Sequence, residues 1–291
     1  MGIVVRTLVP EEAPAASLVM DEVMQRAYKA PSFAAQIGWY AAVQPDCLVV
    51  ATDDSTGSAI APIVGTGCGI AYPDARFGWI GLIATEPAYE RQGIGARLTE
   101  HVAQSLAGHG CASVLDASVA GGPLYERMGF VDHGPTRVML LDSVAAGSAG
   151  ADVGEPINVA NLADVVAYDA SVFGAERRSL LRVLVTDYPG RSMLVRSRDG
   201  AVSGFVIAQH AVVGPLAAAD SDSLAALVRF AAGLGWERGV QLCVPPESEH
   251  LATLIELGWR TVRELRNMRR GIDTLPGSSR LYAGRVSLGF G

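Results

Sequence analysis

The chain has 291 residues, 49% of them hydrophobic, and a formal net charge of −7, which is enough apolar matter for two cores and more length than one ordinary domain needs. All the net charge lies in residues 1–145, with eight basic and fifteen acidic side chains; residues 146–291 balance at fifteen and fifteen. That acidity disfavours nucleic acid as a partner, and no apolar run reaches the ~20 residues that span a bilayer.

In chain order, IVVRTLV (3–9) has the alternation of a strand, and residues 11–44 form two helices broken at KAPS (29–32). DCLVVAT (46–52) and APIVGTGCGIAY (61–72) are paired strands around the turn DDSTGS,. RFGWIGLIAT (76–85) is a further strand. After it, Ile94, Leu98, Val102 and Leu106 recur every four residues, the stripe of an amphipathic helix,. CASVLDAS (111–118) is a strand, GGPLYERMGF (121–130) a short helix ending at Gly129, and a closing strand runs to Leu141.

Residues 143–156 are small and flexible in composition and are expected to link a first domain, 1–142, to a second, 157–291,. The second half repeats the order: two helices over 161–187, a hairpin turning at RDG (198–200), and a helix over SDSLAALVRFAAGLG with Ser221 as N-cap,. A strand at GVQLCVPP, a helix at SEHLATLIELGW and a strand at RTVRELRNMRR complete it. LYERMGF (124–130) aligns with TLIELGW (253–259), so the halves are a faint internal repeat,. The four cysteines have no CxxC pair and the five histidines no HExxH spacing, so buried thiols and no metal are expected. The N-terminal stretch MGIVVRTLVPEE lacks a secretory pattern, and a cytoplasmic protein is expected,.

ERQGIGARL (90–98) carries the strongest chemical signal. Glycines at a helix mouth remove the Cβ atoms that keep an anion from the unpaired N–H groups of the first turn, and the helix dipole adds positive charge there. Taken alone, the pattern fits an ordinary glycine turn as well.

GLIATEPAYERQGIGARL (81–98) resembles motif A of the GCN5-related N-acetyltransferases (GNAT), and GGPLYERMGF resembles their motif B. Over nearly the whole chain the sequence is similar to a two-domain subgroup, through VLDASVAGGPLYERMGF, AYDASVFGAERRSLL, GPLAA, VPPES and RLYAGRVSLGFG. The resemblance implies an α/β class with a mixed, mostly antiparallel sheet flanked by helices, present twice in tandem, the second copy degenerate. It implies acetyl-CoA as acyl donor, its pyrophosphate on the backbone of Arg91, Gln92, Gly93, Ile94, Gly95 and Ala96, and its pantetheine arm on Ile83 and Thr85. Glu90 stands where the family carries Gln or Arg, and is expected to point away from the phosphates. Tyr125 matches the tyrosine that protonates the departing thiolate,. The second half has Leu254 there and has lost the glycines, so it is expected to be a poor catalyst.

Asp116 is the first candidate for general base or substrate anchor; Glu86, His133 and a water relay are the others,. Tyr28 and Phe33, flanking KAPS, are expected to meet the acceptor, while Trp39 and Tyr40 fit a helix core,. The expected reaction is direct transfer to a primary amine of a small molecule, a metabolite or an amine-bearing antibiotic. A protein or peptide amine, or a CoA-binding sensor or scaffold without turnover, are the alternatives. The arginine-rich strand 260–270 allows a homodimer interface or a solvated face.

Overall fold

The stripe Ile94, Leu98, Val102 and Leu106 is buried to 2% exposure or less along the helix Ile94–Gly108, whose place on the sheet is made by glycines. A Cβ on Gly69 would lie 2.6 Å from Val102, and one on Gly78 2.6 Å from Leu106, so the alternating VGTGCGI lets the helix settle directly on the strand backbones. The structure, a computed structural model, describes residues 2–28, 33–57, 60–141, 154–236 and 240–291, and of 25–28 the backbone alone.

The first half runs β1 (Ile3–Thr7), α1 (Ala13–Tyr28), α2 (Ala34–Val43), β2 (Leu48–Asp53), β3 (Ile63–Tyr72), β4 (Phe77–Thr85), α3 (Ile94–Gly108), β5 (Ala112–Ala117), α4 (Gly122–Arg127) and β6 (Val131–Leu141). The second half runs β7 (Glu155–Pro156), α5 (Leu162–Phe173), α6 (Arg178–Asp187), β8 (Ser192–Arg196), β9 (Val202–Ala208), β10 (Val213–Ala218), α7 (Ser221–Gly233), β11 (Val240–Val244), α8 (Leu251–Glu256), β12 (Arg260–Arg270) and β13 (Tyr282–Gly284). Residues 142–153, which hold most of the expected linker 143–156, lie outside the described residues. Asp220, not Ser221, caps α7: its carboxylate accepts from the Ser223 N–H at 2.7 Å, and a carboxylate is the stronger acceptor at a helix start.

The alternation of elements predicted the halves but not how their strands interleave. The larger sheet has the order β1-β2-β3-β4-β5-β12-β6-β11, and the smaller β13-β10-β9-β8-β7. Strand β12 of the second half therefore lies between β5 and β6 of the first, with Asn267 opposite Asp116 and Leu265 opposite Thr136. Strand β11 pairs in turn with β6, Cys243 opposite Val138. The two halves are stitched through one continuous ladder, which removes the open edge each would otherwise present.

Three of the β12 arginines are held by ion pairs. Arg266 pairs with Glu126 and Asp132, Arg270 with Glu100, and Arg269, 4% exposed, with Glu247. Arg266 and Arg270 thus bridge the halves of one chain, while the Arg269 pair stays within the second.

One apolar core also crosses the boundary, joining Trp39, Tyr40, Phe77 and Trp79 to Phe173, Leu181, Phe205 and Phe290. The C-terminal segment runs through it. The Tyr40 hydroxyl donates to the Gly289 carbonyl, Tyr72 to that of Phe290 at 2.8 Å, and the Trp79 indole to that of Leu288 at 3.2 Å. The Phe290 ring stacks on Tyr40 with centroids 4.0 Å apart. A Cβ on Gly81 would come 2.4 Å from Gly289 Cα, so bare backbone on both sides permits the crossing. No helix among the described residues is long and apolar enough to cross a membrane.

Candidate active site

Strands β4 and β5 pair in parallel from Phe77/Ala112 to Ile80/Leu115 and then part. A bulge opens at that point. The β3–β4 register slips by one residue between Cys68/Gly81 and Thr66/Ala84, and Leu82 takes φ 52°. The Leu82 carbonyl accepts from the Thr66 hydroxyl at 3.1 Å. In a trans peptide the N–H points opposite to the carbonyl, so the Ile83 N–H is turned away from Thr66, toward the gap. Glu86 N–H donates to the Val64 carbonyl at 2.9 Å on the β3 side. Backbone groups alternate sides along a strand, so those of Ile83 and Thr85 face the gap as well.

At the far end of the gap, α3 starts from Gly93, an N-cap with φ 76°, preceded by Arg91 at φ 60°. The first intrahelical bond is Arg97 N–H to Gly93 carbonyl, leaving the N–H groups of Ile94, Gly95 and Ala96 without helical partners. A Cβ on Gly93 would meet nothing within 4 Å, and one on Gly95 only Leu124 at 3.8 Å. Internal packing does not demand glycine at 95, where it costs a helix about 1 kcal/mol against alanine. The bare backbone suits close approach of an anion, and Arg91 and Gln92 flank it, exposed. Ile94 contributes backbone alone, since its side chain is core. Glu90 is exposed and makes no ion pair among the described residues; Arg97 instead donates to the Ile3 carbonyl at 3.0 Å.

The near end of the gap opens into a cavity of about 380 Å³. It brings together Ile83, Asp116, Tyr125 and Phe33, and adds a second-half wall of Val212, Gln241, Cys243, Arg263 and Leu265 and a tail wall of Ser287, Leu288 and Gly289. Thr85 and residues 91–96 lie outside it, along the gap and at the helix mouth. The Tyr28 side chain lies outside the described residues. Phe33 is held at the start of α2 by its N–H, which donates to Asp21 at 2.6 Å.

Tyr125 sits on α4 with its ring edge-on to Phe130, centroids 5.9 Å apart. Burial raises its pKa above the ordinary tyrosine value, and a side-chain hydrogen bond with Thr99 pulls the other way, so at neutral pH the phenol keeps its proton.

Asp116 does not present its carboxylate to the cavity. The residue is part-exposed while its side chain is 0% exposed, so what borders the cavity is backbone. One oxygen accepts from Thr136 at 2.5 Å and Asn267 at 3.2 Å, the other from Arg285 at 2.5 Å. Arg285, itself 2% exposed, lies over the Trp79 ring. A carboxylate so saturated with donors is neither a free base nor a free anchor; it is a strut. His133 is not on the cavity wall. Glu86 is also off the wall, its pKa raised by burial and then by Glu22. Cys243 lies on the wall, but burial pushes its thiol up to about 12, which leaves little thiolate for an acyl-enzyme route.

The second half has the corresponding gap, and the chain fills it. GPLAA (214–218) matches GLIAT (81–85), with a register slip at the same place, between Val213 and Leu216. A single parallel bridge, Val212 to Gln241, joins β10 to β11 before they part. Strand β13 then pairs along β10, Leu216 to Gly284 and Ala217 to Tyr282. A Cβ on Gly284 would lie 2.3 Å from Leu242, so the slot admits the tail only as glycine. At the mouth of α7, Asp220 and Asp222 stand where bare backbone opens α3, a poor place for phosphates. Sequence reasoning missed β13, Arg285 and the tail wall; the tail's glycines and aromatics were the available signal.

Residues 16–130 match the acetyltransferase (GNAT) family, and residues 165–283 match an acetyltransferase (GNAT) domain. No curated protein has a matching sequence. Among solved structures, a candidate acetyltransferase from Pyrococcus horikoshii is similar over 100% of this chain and 96% of its own, at TM-score 0.83 and 22% identity. A GCN5-related N-acetyltransferase from Sphaerobacter thermophilus is similar over 94% and 98%, at TM-score 0.66 and 13% identity. A glucosamine N-acetyltransferase region of a fungal multi-domain GH3 β-N-acetylglucosaminidase is similar over 92% of this chain and 38% of its own, at TM-score 0.65 and 13% identity. With both halves matched and the fold shared end to end, the chain belongs to the GNAT acetyltransferases as a two-domain N-acetyltransferase.

Proposed function

We propose that the protein transfers the acetyl group of acetyl-CoA to the primary amine of a small molecule, at one site per chain, in the first half. The observation that carries this is a gap with free backbone on one edge, an open glycine helix mouth at one end and a cavity lined by a protonated tyrosine at the other. The N–H groups of Ile94, Gly95 and Ala96 would hold the pyrophosphate, with Arg91 and Gln92 beside it. The edge of β4 at Ile83 and Thr85 would pair with the pantetheine arm, as an added strand does.

The transfer forms one N–C bond and breaks one C–S bond. Ile83 N–H, turned toward the gap, is placed to donate to the carbonyl oxygen as negative charge develops on it. Tyr125 gives its proton to the departing sulfur and regains one from solvent. With the Asp116 carboxylate occupied, the amine sheds its proton to water. The apolar cavity helps, because desolvation disfavours an ammonium.

Calorimetric titration with acetyl-CoA tests the reading. One site per chain is expected, because β13 occupies the second gap. In Gly95→Val, where a side chain has room, stability should change by no more than about 1 kcal/mol, while affinity drops at least about ten-fold through loss of anion approach. Two sites per chain, or unchanged affinity in Gly95→Val, would sink this placement.

A further inference from the structure

Resting on that reading of the site, we propose that the acceptor is an apolar primary amine, alkyl or arylalkyl, and not a polyol or a polycation. The floor of the cavity is a cluster of its own, Val138, Cys243 and Leu265 with Leu288 packed on it, in which the first three are 6% exposed or less. It takes one residue from β6, one from β11, one from β12 and one from the tail, so neither half builds it alone.

Charge on the wall points the same way. Among the described residues two of the residues that line the cavity carry a charge, Asp116 and Arg263. Asp116 keeps its carboxylate out of reach behind Arg285, Thr136 and Asn267, and Arg263 is cationic. A polyamine or aminoglycoside would need several open carboxylates in such a space. The acidity of the first half therefore does not reach the acceptor end.

Size and rigidity set the remaining limits. About 380 Å³ is at the small end of the ~300–1,000 Å³ of small-molecule pockets, and Ile83 and Tyr125 mark one end as belonging to the transferring acyl group. The tail wall cannot swing outward without breaking the bonds from Tyr40, Tyr72 and Trp79 to its carbonyls. The Ser287 oxygen already accepts from the Gly289 N–H at 3.1 Å, which leaves its proton as a donor beside Gln36, Ser118 and Gln241 on the same wall.

The test is thiol release from acetyl-CoA with the full chain and a panel of propylamine, butylamine, hexylamine, 2-phenylethylamine, glucosamine, spermidine and an alanine-initiated peptide at one pH. Each methylene from propyl to hexyl should raise kcat/KM about four-fold, and phenylethylamine should exceed glucosamine by at least about fifty-fold. Leu288→Ala should flatten the chain-length series. Leu288→Asp, if folded by circular dichroism, should shift preference from hexylamine toward spermidine. Preference for glucosamine, spermidine or the peptide, or a flat wild-type series, overturns the acceptor class while leaving acetyl transfer standing. No thiol release with any amine overturns both.

Discussion

Tyr125→Phe is expected to lower kcat by about 10²- to 10⁴-fold, the usual worth of a placed general acid, while acetyl-CoA affinity stays within about two-fold. The two effects separate because the phenol lies at the cavity end of the gap, whereas binding is expected along β4 and at the mouth of α3. The ring's contact with Phe130 survives the substitution, so the melting temperature should hold.

The pH profile carries the sign. The protonated phenol is the active form, so activity is lost as pH rises through its pKa. Burial, the larger cause, moves that pKa upward against the Thr99 hydrogen bond. The alkaline limb of kcat should therefore lie above the ordinary tyrosine value of about 10 and be missing in the phenylalanine variant. A wild-type limb at lower pH, or kcat unchanged in the variant, removes Tyr125 from the mechanism.

Asp116→Ala is expected to destabilise the protein by about 3–5 kcal/mol, the cost of leaving a buried charge without its partner. The charge left behind is Arg285, 2% exposed, and the loss should lower the melting temperature by roughly 10 °C. Asp116→Asn separates strut from base. The amide still fills the space but cannot neutralise Arg285, so stability should fall while kcat in the folded fraction stays within about ten-fold of wild type. Had Asp116 been the base, the same variant would melt normally and lose at least about a hundred-fold in kcat. Pairing Asp116→Ala with Arg285→Met should recover part of the lost stability, since both charges are then gone. Thermal melts and steady-state rates on the same preparations decide it.

The site was legible in the sequence wherever its logic is local. Glycines at 93 and 95, the stripe Ile94–Leu98–Val102–Leu106 and the proline turn before them are a helix start written within a few residues, and α3 begins at Ile94. Tyr125 follows from the short helix that carries it. Phe33 was placed by its position beside a helix break, and it reaches the cavity wall. Asp116 was located as a residue of the strand before α4, but the three donors that occupy its carboxylate were not legible. Its charge partner lies 169 positions later, on a segment with no helical or strand period to announce it.

The sequence by itself determined the element types, the internal repeat and the family, because periodicity, caps and glycine turns act over a few neighbours and survive any arrangement of the halves. Only the tertiary structure decided that β12 enters the first half's sheet, that β13 closes the second half's gap, and that the cavity floor is shared by both halves. Those outcomes rest on strand edges finding partners and buried charges finding counter-charges at separations of a hundred residues and more. Many pairings satisfy the same local pattern at such distances, and the packed core selects one.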